Sequence, residues 1–436
     1  VTQLDEGELL EQLTALIDAS LLRSLHDDPP SFRLLETIRA FAAERLAHDG
    51  GEMQAQTRHA AFFHALGESA APRLWQPQQQ VWFDRLEREH DNLRAALQFW
   101  LDHGKPGSAL RLATSLAAFW EAQGHLEEGL GWLNQALAAA QDADPASRGR
   151  AMFSASRLAG QRGDAAEESV LLQDSLSLFR LGGDLRGQIF ALSHLGNAAA
   201  RRGEASRVED LGAESVARAR ELADPWYLAM ALNNYGYSRV MDGNVDSVTE
   251  KLLAESLQLR RSLDEKRGVG FTLGSLAELQ LLRGDLEAAA STLEEMLTLS
   301  DALTHAELTS VTLNLHGFLY LARGDPAQAA RVFQNSLQRS WPLGFQLLVA
   351  EALLGCGEAA AQQGAFTRAL RFAVAASRVL TAAGQQPASL HRAAINRIER
   401  HVEQAIDQPT RQVIRTAAET ATLDQVLAEA AADAQD

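Results

Sequence analysis

A glycine in a polar setting returns about every forty residues through most of this chain. Gln123-Gly124-His125, Arg162-Gly163-Asp164, Arg202-Gly203-Glu204, Asp242-Gly243-Asn244, Arg283-Gly284-Asp285, Arg323-Gly324-Asp325 and Gln363-Gly364-Ala365 follow one another at steps of 39, 40, 40, 41, 40 and 40 residues. A period of this length marks stacked supersecondary units, each too small to bury its own apolar faces. Seven residues before each glycine stands a small residue: Ala117, Ser156, Gly196, Gly236, Ala277, Gly317 or Gly357. That is two helical turns back, on a face where a second helix can come close. Twelve or thirteen residues after the glycine comes a second small residue with an apolar neighbour, as in Ser175-Leu176, Ser215-Val216, Ser256-Leu257 and Ser336-Leu337. Each unit therefore reads as helix, glycine turn, helix. Asp144-Pro145, Asp184 and Asp224-Pro225 supply an N-cap acceptor where each next unit starts, and Asp325-Pro326 does so for a second helix. The expected fold is all-α, a right-handed α-solenoid of about seven helix pairs with a concave and a convex wall.

Composition agrees. Of the 436 residues, 46% are apolar but only 6% aromatic, which suits an Ala/Leu-built helical core and not a β-sandwich. Forty basic residues against 57 acidic ones leave a formal charge of -17, so direct nucleic-acid binding is not expected. One cysteine, Cys356, excludes an internal disulfide framework and fits a reducing compartment. No basic start or long apolar stretch is present, and the expected location is cytoplasmic, without membrane contact.

The small residue, Gly-Asp turn and second small residue resemble the tetratricopeptide repeat. The period is 40 instead of that family's 34, which lengthens the helices, and HEAT-type repeats stay open as the structural alternative. Residues 108–384 carry the pattern. Before it, residues 1–50 read as helix (Asp5–Ala19), two short strands (Ser20–Leu25 and Ser31–Leu35) around Asp27-Asp28-Pro29-Pro30, and a helix from Glu36 to about Ala47. That is the closing half of a winged helix. Four arginines against ten acids make it a poor DNA reader. Residues 51–107 read as a helical linker and 385–436 as a helical cap.

Three blocks carry a more specific resemblance: Phe32-Arg33-Leu34-Leu35-Glu36-Thr37-Ile38-Arg39-Ala40-Phe41-Ala42, Arg58-His59-Ala60-Ala61-Phe62-Phe63, and Trp82-Phe83-Asp84-Arg85-Leu86-Glu87-Arg88-Glu89-His90-Asp91-Asn92-Leu93-Arg94-Ala95-Ala96-Leu97. They resemble the winged-helix end and linker of bacterial STAND-class signal-transduction ATPases of the LuxR and antibiotic-regulator types. The Thr422–Ala428 tail is similar to the one closing their repeat arrays. The resemblance implies a sensor and scaffold region that answers to an ATPase module upstream in cis. Leu34-Leu35-Glu36 stands where many relatives carry Met-His-Asp, and leucine cannot donate a hydrogen bond to a phosphate.

The chain offers no catalytic motif. Its only Gly-Lys, Gly104-Lys105, runs into Pro106, so a P-loop is absent, as are G-x-S-x-G and H-E-x-x-H. His59 and His64 miss the i, i+4 register of a helical metal site, and no metal or cofactor is expected. Cys356 beside Gly357 reads as a buried inert thiol. Trp75, Trp82, Trp100, Trp120 and Trp132 read as packing before the repeats. The informative surface is the concave wall, where residues ten and six before each glycine should point. The ligand-binding candidates are Arg157, Asn197, Asn233, Tyr237, Glu278, Asn314, Phe318 and Glu358. The asparagines suit an extended peptide backbone, and the two aromatic rings suit apolar pockets. The expected partner is a protein, a peptide or a small inducer; a free-standing adaptor holding two proteins together is the alternative.

Overall fold

The computed structural model describes residues 5–25, 31–75, 79–303 and 305–432, and the expected turn at Asp27-Asp28-Pro29-Pro30 lies outside them. The chain divides into two compact units, 1–143 and 144–436. The first opens with α1 (Glu6–Asp18), strands β1 (Leu22–Leu25) and β2 (Ser31–Leu34), and α2 (Glu36–His48). The strands pair antiparallel, Leu22 opposite Leu34, and Asp5 caps α1 by accepting from the Glu8 amide at 2.9 Å. Helix, hairpin, helix thus forms where expected. Its apolar residues are poorly covered, with Leu10 60%, Phe41 62% and Leu35 46% exposed. There follow α3 (Glu52–Ala70), α4 (Gln79–Arg88), α5 (His90–Asp102) and a first pair, α6 (Pro106–Gln123) with α7 (Leu126–Ala139). This pair belongs to the first unit, so the compact boundary falls one pair later than residue 107.

The second unit is an α-solenoid of paired helices: α8 (Pro145–Arg162) with α9 (Ala165–Leu181), α10 (Leu185–Arg201) with α11 (Ala205–Leu222), α12 (Pro225–Asp242) with α13 (Ser247–Ser262), α14 (Lys266–Arg283) with α15 (Leu286–Leu303), α16 (Ala306–Ala322) with α17 (Pro326–Ser340), and α18 (Gln346–Gln362) with α19 (Phe366–Ala382). Then come α20 (Ser389–Ala405), α21 (Gln408–Thr420) and α22 (Leu423–Ala432). All seven recurring glycines adopt positive φ, from 69° at Gly203 to 100° at Gly243, the left-handed step that ends a helix at little cost for a residue without Cβ. The aspartates restart the chain: Asp144, Asp164, Asp184 and Asp325 each accept an amide three residues on, at 2.9–3.0 Å.

The second small position has a function that size alone does not reveal. Ser175, Ser215, Ser256 and Ser336 are fully buried, and each hydroxyl donates to a carbonyl on the partner helix: Gly149 (2.8 Å), Ile189 (3.3 Å), Ala229 (2.7 Å) and Ser310 (3.4 Å). The first small position permits the approach. A Cβ on Gly236 would come within 2.7 Å of Leu253, and one on Gly317 within 2.4 Å of the Phe333 ring. Phe333 is seated between two such glycines, since a Cβ on Gly355 would also reach it, at 2.1 Å. No helix among the described residues is long and apolar enough to cross a membrane.

Gly317→Ala overpacks a full core and should lower stability by about 1–3 kcal/mol, and Ser256→Ala by about 1 kcal/mol for one net hydrogen bond. Urea unfolding followed by circular dichroism measures both; an unchanged midpoint for Gly317→Ala would show that the pair does not need its glycine.

Candidate functional site

The first helices of the pairs, α8, α10, α12, α14, α16 and α18, pack on one another and make the inner wall of the second unit. The expected ligand residues fall on it unevenly. Arg157 and Tyr237 are half-buried. Asn197 is also half-buried and accepts from the Ser238 hydroxyl at 2.6 Å, tying α10 to α12. Asn314 is fully buried and donates to the Leu348 carbonyl at 3.0 Å and to Glu351 at 3.1 Å, tying α16 to α18. Asn233 is buried, and its Oδ1 has no hydrogen-bond partner. The asparagines therefore do not form an open ladder; two of the three link adjacent helices. Phe318 is a core residue, edge-on to Phe333 at 5.1 Å, because the neighbouring helices enclose the position six before the glycine. Glu358 is buried too.

What covers this wall is the chain's own tail. Beyond α19 the chain turns back over the wall instead of only capping the end. The Gln386 amide donates to the Arg201 carbonyl at 2.9 Å, at the end of α10. Ser389 donates to the Met241 carbonyl at 3.0 Å, and Arg392 to that of Asp242 at 3.3 Å, at the end of α12. Helix α20 then lies against α12, α14 and α18. Arg397 grips Glu358 along one guanidinium edge, donating from Nε to Oε1 and from Nη2 to Oε2 at 2.9 Å, and His391 Nε2 stands 3.2 Å from Glu351.

The charges there are coupled. Burial, reinforced by Glu351 and opposed by His391, pushes the Glu278 carboxyl up to about 7. Burial disfavours charged His391, but the hydrogen bond and charge of Glu351, with Glu278, outweigh it and raise its pKa. Tyr237 is pushed above the usual phenol range by burial and by the same two glutamates. At the other end of the wall, burial with Arg157 and Arg201 lowers His194 to about 3. Cys356 is buried, and burial pushes its thiol up to about 12, so it is a poor nucleophile.

An aromatic row runs along α8, α10 and α12, and reading ten and six before the glycine reached only its first member, Phe153. Phe153 and Phe190 stand 5.8 Å apart, Phe190 and Tyr227 5.6 Å, Tyr227 and Trp226 5.0 Å. Its signal was available: Phe153, Phe190 and Tyr227 recur at steps of 37, one helical turn short of the repeat.

In the first unit, Arg94 of α5 holds Glu128 of α7 through two bonds of 2.7 and 2.6 Å. Asn92 bridges Glu89 and His59, so the Glu89-His90-Asp91 stretch, where α5 begins, serves packing between helices. Beside this pair, Glu87, His90 and His125 bring ligand-type atoms within 4.8 Å of one another, a donor set that suits a zinc-class ion. Those atoms already have neighbours, His125 being 3.0 Å from Glu87 and His90 3.2 Å from Glu128. Glu87 near the end of α4, His90 at the start of α5 and His125 in the turn before α7 supply them, so the spacing along no single helix announces all three. The tryptophans are dispersed: Trp82 lies under Arg73 and Arg85, Trp100 is edge-on to His64, Trp120 is buried and Trp132 donates to Glu128. The side chain of Trp75 lies outside the described ones.

No family model matches the chain. Over 284 residues, 63% of its length, it is 31% identical to candidate HTH-type transcriptional regulators of Mycobacterium bovis and Mycobacterium tuberculosis. The matched part makes up 30% of those proteins. Among solved structures it is similar to a Rap protein complexed with competence and sporulation factor, with TM-score 0.50, 10% identity, and coverage of 81% of this chain and 100% of that one. That likeness shows the helical fold.

Glu278 and His391 both hold protons more tightly when folded. Their contribution to stability is therefore full at acid pH and is lost as pH rises, from about 4.5 to about 7 for Glu278. In urea titrations from pH 5 to 8, Glu278→Gln should gain stability on the wild type as pH rises; a pH-independent difference would remove Glu278 from the coupled set.

Proposed function

We propose that this chain is the non-catalytic sensor and scaffold region of a STAND-type transcription regulator. A protein, peptide or inducer on the inner wall of the solenoid sets the state of a nucleotide-binding module upstream in cis. The observation that carries the reading is the similarity, over 63% of the chain, to HTH-type transcriptional regulators more than three times as long as the matched part.

Three features support it. The chain lacks a P-loop, so nucleotide chemistry has to come from elsewhere. The helix–hairpin–helix at its start leaves Leu10, Phe32, Leu35, Phe41 and Leu46 exposed, an apolar set that an adjoining domain would cover. We read this segment as the closing half of a winged helix, which would pass the state of the wall to that domain. The inner wall also joins half-buried aromatic rings to charged groups, which suits a peptide or protein. The Rap protein of similar fold is itself described in complex with a signalling factor. A ligand acts here by binding one conformation of the assembly better than the other.

The test uses the intact parent protein and a reporter promoter. Asn233→Ala with Tyr237→Ala should cut induction at least tenfold while nucleotide binding by the parent is kept. Phe41→Asp should uncouple induction from nucleotide binding. Full induction in both variants would refute the reading, as would substrate turnover by the chain alone.

A further inference from the structure

Helix α20 carries a simple stripe. Leu390, Ala394, Ile398 and Val402 recur every four residues, are all buried, and join the core built by α14 to α19. At the edges of the stripe His391 and Arg397 meet Glu351 and Glu358. Apolar anchors at helical spacing with charged flanks are how a helix is recognised in a groove. The non-helical residues 383–388 tether α20 to α19, so it docks as a separate element.

The fit is incomplete in charge. Glu278, Glu351 and Glu358 converge on the groove, and α20 answers with one imidazole and one guanidinium. Glu278 has no hydrogen bond or ion pair among the described residues. A carboxylate partly withdrawn from water without a fixed cation is unfavourable, and an occupant that supplied one would be held more tightly.

We propose that the groove over α12, α14 and α18 is a receptor for a basic amphipathic helix, and that α20 is its resident occupant. A partner helix displaces α20 by bringing a fixed cation to Glu278. This rests on the inner wall being the partner surface and names the partner's chemistry. The tether gives α20 an effective concentration on the order of millimolar, so a free helix competes poorly until α20 is weakened.

The probe is a fluorescent peptide of residues 386–405 carrying His391→Arg. Added to the full chain, it should bind Arg397→Glu at least tenfold more tightly than wild type. Amide exchange of α20 should quicken at least tenfold in that variant, and in wild type saturated with peptide. A peptide with its arginines changed to glutamine should not bind. If Arg397→Glu loses its fold by circular dichroism, Arg397→Gln, which removes the cation from α20 and leaves the Glu358 carboxylate in the groove, takes its place with the same expectations. Equal affinity for wild type and variant, or binding that leaves α20 exchange unchanged, overturns the proposal. Successful exchange beside a reporter indifferent to Asn233 and Tyr237 would sink the regulator reading and keep the groove; the reverse would sink the groove alone.

Discussion

The distance between the two helices of a pair governs the second unit. Four serine hydroxyls can be buried because a backbone carbonyl lies within reach across the pair, and at Gly236 and Gly317 the lack of a side chain lets the two helices come that close. A buried hydroxyl without a partner is costly, whereas a satisfied one is modestly favourable. The small residues and the serines therefore act together: the former set the spacing, and the latter favour one register within it. The left-handed glycine between the helices turns the chain tightly enough for that register to be met.

Stacking such pairs places the first helices side by side, and their polar residues then face one another as well as solvent. Asn197 and Asn314 become links between neighbours. Farther along, the wall turns acidic, and a carboxylate as buried as Glu358 persists because Arg397 comes down on it from α20. Removing one member of such a pair is worse than never having had it, since the other is left charged and dry. Tail and wall are in this sense one electrostatic object.

What could be read from the chain was what is local. The recurring glycines, the aspartate caps and the two strands depend on a few neighbouring residues, and they formed where expected. Which face of a helix looks inward is also nearly local; what covers that face is not. Phe318 sits at a position read as open and is enclosed by Phe333. Glu358 is hidden by a residue 39 positions on, and Ser389 meets a carbonyl 148 positions back. No periodicity reports such returns. The Glu87, His90 and His125 grouping was invisible for a similar reason, since a turn beyond α6 brings in the third member.

Repeat arrays ordinarily gain or lose a unit with little penalty, because each touches only the next. Here the end of α19 and the turn after it close on the turn that joins α8 to α9, where the Ala382 carbonyl would stand 2.7 Å from any Cβ on Gly163. The array therefore has a counted length. Duplicating or deleting one pair between those two points would carry the returning segment past its footing, so evolution can vary the faces of these helices far more freely than their number.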